Sequence, residues 1–386
     1  MDAWKFSPAG RTATLANWRK APHNKWSLGH VREILPSAPI EAGPPGHPFA
    51  MKPASLESLT FRHGEQTLSV AEAIDTTDTD ALLVLQSGRV LLERYAQGHS
   101  AATQHLVFSI SKSMAAALAG VLVAQGKLDC SRQVTDYVPE LHGSGFAGAS
   151  VQNLLDMTVA VAFEEEYETT DSDVLRYRRA SGWDPPMPDT VTGIRPYVCG
   201  LDGSGNPHGE ICQYCSVCTD VLGWVIERVG GASYPTLFSE LIWKPMGAES
   251  DAYIVLDPFG VPRTAGGICA TLHDVARFGT LMLYPATKGP IPLAGFVADT
   301  FGNRNKKAWK LGNLAYFLEE GAYRNQWYLD DDRPSVCMGV GIHGQWLYVD
   351  RDKELVIVKF SSQPVPVAVE TDALVMACLS SIAASL

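Results

Sequence analysis

The chain has 386 residues, 46% of them hydrophobic and 19% charged, with a formal net charge of −11 and a pI near 5.4. That composition excludes general disorder and supplies apolar residues for two cores or one large split core. The acidic balance argues against nucleic acid or anionic membrane as a partner, because both need a basic footprint, and favours a small-molecule partner.

The first 25 residues, beginning Met1-Asp-Ala-Trp, contain no apolar leader core. No window approaches about 18 consecutive apolar residues, so a soluble, cytoplasmic protein is expected. Residues 36–54, with Pro36, Pro39, Pro44, Pro45, Pro48 and Pro53, read as an irregular lead-in. Ala81–Leu85 and Val90–Tyr95, joined by Gln86-Ser-Gly-Arg89, then read as a β-hairpin with glycine in its turn.

Phe108-Ser-Ile-Ser-Lys-Ser113 leads straight into the small, apolar run Met114–Val123, which reads as a buried helix. Ser109 and Lys112 are three residues apart, so they share a helical face with Cβ atoms roughly 5–6 Å apart. The Lys112 amine then reaches the Ser109 hydroxyl and draws off its proton, as in a serine acyl-transfer enzyme that has no catalytic histidine. The helix start adds unpaired N–H groups and a positive dipole end, which favour the oxyanion formed when Ser109 attacks a carbonyl. A serine cap followed by a solvated lysine is the plain alternative. The apolar character of this helix weighs against it, since a lysine in its first turn points into a cleft rather than bulk water.

Further along, Val151–Met157 reads as a helix, and Gln213-Tyr214-Cys215-Ser216 offers a tyrosine able to share protons with Lys112. As a phenolate, or as a shuttle to the leaving group, Tyr214 would supply acid–base catalysis; the alternative is a half-buried tyrosine whose hydroxyl caps a backbone group. Cys212, Cys215 and Cys218 have metal-like spacing. A fourth ligand is not evident, and the segment runs into the amphipathic Thr219–Arg228, so these cysteines are expected to pack as small hydrophobes with no metal. Without a secretion leader, all eight cysteines are expected to be free thiols.

In Gly339-Val-Gly-Ile-His-Gly-Gln345, the glycines at 339, 341 and 344 lead into a strand and allow a substrate to approach the backbone. A backbone N–H near Ile342 would join that of Ser109 as a two-donor oxyanion hole; a bulge at a sheet edge with a structural His343 is the alternative. Gln345–Val349 and Glu354–Phe360 flank Asp350-Arg-Asp-Lys353 as a second hairpin, and Val369–Ala384 reads as a helix. Strands at both ends thus enclose a helical middle. One antiparallel sheet built from both termini is expected, with residues 1–105 and 251–386 as a sheet domain and 106–250 as an inserted helical domain. Chemistry is expected in the cleft between them.

The order Ser-x-x-Lys, Tyr-x-Ser, His-Gly-Gln within this plan resembles the penicillin-recognising serine hydrolases of the class C β-lactamase and esterase type. Asp136-Tyr-Val-Pro-Glu-Leu141, Gln213-Tyr-Cys-Ser216 and Gly341-Ile-His-Gly-Gln345 are similar to the nylon-oligomer amidase branch of that family, and the likeness runs from Ala21 to Ser362. The resemblance implies a serine β-lactamase-like α+β/α fold, with Ser109 as nucleophile, Lys112 as base and Tyr214 as proton relay. It implies an oxyanion hole from the N–H groups of Ser109 and Ile342. It also nominates Tyr167, on a loop covering the site, as a hydroxyl that approaches the substrate amide nitrogen. In that loop Asp171 and Asp173 would hold a substrate ammonium group, or Arg176, Arg178 and Arg179 a carboxylate, unless the loop is merely solvated; His343 is a further substrate-binding candidate. Two positions depart from the family pattern: serine 216 stands where the wider family has asparagine, and the lysine of K-T-G is absent, so poor β-lactam hydrolysis is expected. The function implied is hydrolysis of linear amides and short esters through an acyl-enzyme, with no cofactor, and with a homodimer as an option. The alternatives are a short-chain carboxylesterase with slight amidase activity and a catalytically silent binding protein on the same fold.

Overall fold

The structure, a computed structural model, describes residues 12–386 apart from 168, 170 and 189. The leaderless reading of the chain start therefore falls partly outside the described residues.

The period-2 and continuous apolar runs at the two ends of the chain meet in a single eight-stranded sheet. Its strands are β1 (Ala50–Met51), β2 (Thr79–Gln86), β3 (Arg89–Tyr95), β4 (Gly321–Arg324), β5 (Trp327–Asp330), β6 (Val336–Gly341), β7 (Gln345–Asp350) and β8 (Leu355–Ser361). They lie in the order β4-β5-β6-β7-β8-β2-β3-β1. Neighbours are antiparallel except at the edge, where β1 runs parallel to β3. The N- and C-terminal hairpins join at β2 and β8, where Leu82 faces Lys359 and Gln86 faces Leu355. Both predicted hairpins form. The first turns through Ser87 and Gly88, both left-handed at φ 46° and 73°, the twist that a two-residue turn requires.

The expectation of one sheet needs correction, because two smaller sheets accompany the large one. Ser37–Ile40, Ala252–Val255, Ile268–Ala270 and His105–Leu106 form a four-stranded antiparallel sheet, and Thr60–His63 pairs with Gln66–Ser69. The Pro-rich lead-in is thus not irregular throughout. Ser37–Ile40 tolerates Pro39 because it is an edge strand, where a missing N–H leaves no inner neighbour unpaired.

Among the described residues, the span between His105–Leu106 and Ala252–Val255 holds helices, turns and isolated bridges. Its principal helices are α1 (Ile110–Ala124), α2 (Asp173–Ala180) and α3 (Ser216–Gly230); α4 (Leu272–Leu283) and α5 (Val369–Ser385) follow. Every residue of α1 from Ile110 to Leu122 is buried. A helix apolar all round must be enclosed on all sides; α1 packs on α3 and β6, while α4 covers β7 and β8. No helix of the described residues is long and apolar enough to cross a membrane.

All eight cysteines are free. Cys215 and Cys218 are core residues, and the Cys212 thiol, also buried, donates to the Asp156 carbonyl at 3.6 Å.

Candidate active site

The first turn of α1 delivers both Ser109 and Lys112 to the base of a cleft. Ser109 caps the helix, and Phe108 before it is held left-handed at φ 45°. That conformation is costly for a bulky L-residue and persists only where surrounding structure over-determines it. Here Val107 N–H donates to Ile268 O at 3.0 Å, Ser111 N–H donates to Phe108 O at 2.9 Å, and the Phe108 ring packs on Trp183 and His343.

Lys112 is 1% exposed. Its Nζ lies 2.9 Å from Ser109 Oγ, 3.1 Å from Ser216 Oγ and 2.8 Å from Ala265 O. Three contacts fix the amine at the end of a flexible stem, and each comes from a different element. Ser216 opens α3, and the Ala265 backbone is held by its own N–H donating to the Asp220 carboxylate at 2.8 Å. Burial pushes the Lys112 ammonium down to about 8, against the pull of Glu165 and Asp220. An amine that is neutral in part near neutral pH can accept a proton, which an ordinary lysine at that pH cannot.

Tyr214 stands beside this pair, with Lys112 Nζ 5.0 Å from its ring centroid. Its backbone is clamped by Asn313, whose Oδ1 accepts from Tyr214 N at 2.9 Å, and its ring packs among Tyr323 and Tyr328. Burial, reinforced by Glu165, raises its pKa well above the ordinary phenol value, while hydrogen bonding to Ser109 and Tyr328 opposes the shift. That direction favours a resting neutral phenol, the form a proton shuttle needs, over a phenolate.

Sequence reasoning missed Glu165. Its Oε2 accepts from Ser216 N at 2.8 Å, and its Oε1 accepts from both Ser216 Oγ and Tyr167 Oη at 2.5 Å. One carboxylate therefore ties the cover loop to the serine that holds Lys112. The available signal was the Glu164-Glu-Glu-Tyr167 run itself, which reads as a solvated charged loop unless Tyr167 is followed inward.

Of the remaining loop candidates, the structure brings two to the site. Tyr167 lines a cavity of about 570 Å³ together with Ser109, Tyr214 and Ile342, and burial keeps its hydroxyl protonated. Arg178 lines a second, much smaller cavity that also touches Ser109. Asp171 and Asp173 lie elsewhere. Both pair with Arg176 at 2.7 Å, and neither lines the two cavities at Ser109, because charges close in sequence satisfy one another locally.

The glycine-rich segment serves packing as well as the cavity. Ile342-His343-Gly344 is the turn between β6 and β7, an interior hairpin rather than a sheet edge. A Cβ at Gly341 would come within 2.8 Å of Val107 O, and one at Gly339 within 3.2 Å of Ser113 Oγ. The missing side chains admit the start of the nucleophile helix, and Gly341 also lines the larger cavity at Ser109. Ile342 consequently lines both cavities beside Ser109. His343 is 3% exposed and left-handed at φ 60°; its Nδ1 lies 2.7 Å from Gln363 O, and burial lowers its pKa to about 4. It lines neither cavity, and its ring braces Phe108, so it is a neutral wall residue rather than a substrate contact.

Comparison with known proteins gives the family and the fold. The family model described as Beta-lactamase matches residues 69–379. The 6-aminohexanoate-dimer hydrolase of Paenarthrobacter ureafaciens is 35% identical over 355 residues, covering 92% of this chain and 89% of that protein. A proposed 6-aminohexanoate-dimer hydrolase of Bacillus anthracis superposes with a TM-score of 0.89 at 26% identity, covering 98% of each chain. A family VIII carboxylesterase, at 16% identity and a TM-score of 0.55 over 81% of this chain and 96% of its own, shares the fold. With a family match across most of its length and a full-length hydrolase relative, the chain belongs to the β-lactamase family as a serine hydrolase.

Proposed function

We propose that the protein hydrolyses linear amides and short carboxylic esters through an acyl-enzyme on Ser109. The observation that carries this reading is the buried Lys112 amine, 2.9 Å from Ser109 Oγ and with its pKa lowered to about 8. In its neutral form Lys112 takes the Ser109 proton as Oγ attacks the carbonyl carbon. The oxyanion is stabilised by the N–H groups of Ser109 and Ile342, donors commonly worth about 2.7–4 kcal/mol each. The proton passes by way of Tyr214 to the leaving nitrogen or oxygen, and the C–N or C–O bond breaks. Water, deprotonated by the same Lys112–Tyr214 pair, then releases the acid and restores Ser109.

An amine leaves only when protonated, whereas an alkoxide or phenoxide needs less help. Tyr167, whose hydroxyl donates to Glu165 at 2.5 Å, is left with its lone pairs toward the cavity, where they suit the N–H of an amide, a group that an ester lacks. It supports the amidase reading over that of an esterase with slight amidase activity. The full-length relative named for 6-aminohexanoate dimer makes that linear amide the first substrate to try.

The test is release of primary amine from 6-aminohexanoate dimer and of nitrophenol from a short p-nitrophenyl ester, in wild type and Ser109→Ala. Amine release that disappears in the variant supports the amidase. Ester cleavage alone leaves a carboxylesterase, and neither activity leaves a binding protein on the same fold.

A further inference from the structure

Three arginines far apart in the sequence converge on the small cavity beside Ser109. Arg19, Arg178 and Arg263 line a space of about 30 Å³ whose wall also includes Ser109, Ile342 and Trp183. Asp184 serves two of them, with Arg19 Nη2 at 2.5 Å and Arg178 Nε at 2.8 Å. Arg263 is 6% exposed. Its guanidinium sits between the Tyr177 and Trp183 rings, 4.2 Å from each centroid; Nη1 donates to Ser181 Oγ at 2.7 Å, and its buried Nε has no partner.

The acids near these arginines are already engaged. Glu165 reaches the same cavity but already accepts from Ser216 and Tyr167. Asp220, behind Arg263, already accepts from Tyr177, Thr264 and the Ala265 backbone. Three guanidinium groups therefore face a pocket in which Asp184 is shared and Glu165 is committed. Clustered arginines, one held flat between aromatic rings, suit planar bidentate recognition of a carboxylate. The larger cavity has the opposite character, with Glu164, Glu166 and Asp372 among aromatic residues.

We propose that this pocket binds a carboxylate on a short arm of the substrate, so that the protein prefers amides or esters carrying an acid group close to the scissile bond. The proposal rests on the Ser109 acyl-enzyme reading and specifies its substrate class. The cavity has room for a carboxylate-sized group and not for a long chain. The acid group belongs either to the acyl half or to the leaving half, and the pocket chemistry is the same for both.

Two substrate pairs separate these sources. Mono-p-nitrophenyl succinate is compared with its methyl ester for an acid on the acyl half, and N-butyryl-β-alanine with its primary amide for one on the leaving half. Wild type should favour the charged member of one pair by tenfold or more in kcat/KM. Arg178→Gln and Arg263→Gln should each remove most of that ratio. Arg19→Gln carries the test if Arg263→Gln does not fold by circular dichroism. Binding of monomethyl succinate, followed by isothermal titration calorimetry, needs no turnover and should be saturable in wild type and lost in Arg178→Gln. Ratios within twofold of one for both pairs, or a preference that survives in the variants, would mean that the arginines only brace the loop. Saturable, Arg178-dependent binding without cleavage would instead overturn the Ser109 reading and leave the carboxylate pocket standing.

Discussion

Two buried lysines make an instructive comparison. Lys112 on α1 and Lys359 on β8 are 1% and 3% exposed, and burial lowers the pKa of both to about 8. Both donate to a serine hydroxyl and a backbone carbonyl: Lys112 to Ser109, Ser216 and Ala265 O, and Lys359 to Ser361 and Thr77 O. Electrostatically they are near twins. They differ in what lies beyond the serine. Ser109 opens on cavities of about 570 and 30 Å³, whereas Lys359 borders a void of about 10 Å³ lined with residues such as Leu82 and Leu379. A depressed lysine pKa marks a functional candidate only when the partner hydroxyl can meet a substrate.

The largest effect expected follows from that contrast. Lys112→Ala should lower the acylation rate by at least about 10³-fold, the scale of a lost general base, while Lys359→Met keeps ester turnover within about threefold. Burst-phase kinetics on a p-nitrophenyl ester read both. An Lys112→Ala protein retaining more than a few per cent of wild-type turnover would remove the lysine from the base role.

Next in size, Tyr214→Phe should lower amide hydrolysis by about 10²-fold. Tyr167→Phe should cost about tenfold more on amides than on esters, as expected for a hydroxyl that accepts from the amide N–H, which esters lack. Equal losses on both substrate types would make Tyr167 structural.

The pH dependence is a finer probe. A base works when neutral, so kcat/KM should rise with pH and level off above about 8, the depressed value for Lys112. Lys359→Met should leave this limb in place. Glu165→Gln removes a carboxylate that raises the Lys112 pKa, so the limb should move to lower pH. A limb that does not move would leave Glu165 as a tether of the cover loop alone.

The parts of this site legible in the sequence are those set by local spacing. Ser109 and Lys112 meet because a helix brings residues three apart to one face, and the two hairpins form because Ser87-Gly88 and Asp350–Lys353 supply their turns. What stayed hidden depends on long-range placement. Arg19, Arg178 and Arg263 are brought together by three separate segments, and nothing in their flanking residues announces it. Glu165 was invisible for a related reason, since its partner Ser216 lies 51 residues away. Asp171 and Asp173 read as substrate ligands from their charge, but both pair with Arg176 and neither lines the cavities at Ser109.

Gly341 has one more consequence. With Val107 O only 2.8 Å from where its Cβ would be, the β6–β7 turn and the nucleophile helix are interlocked at the backbone, and neither has slack to shift without the other. Adaptation to a new substrate must therefore run through the other wall, the stretch from Glu164 to Asp184 and the arginines it meets. Libraries aimed at altered selectivity should spend their diversity there and leave 107–112 and 339–345 untouched.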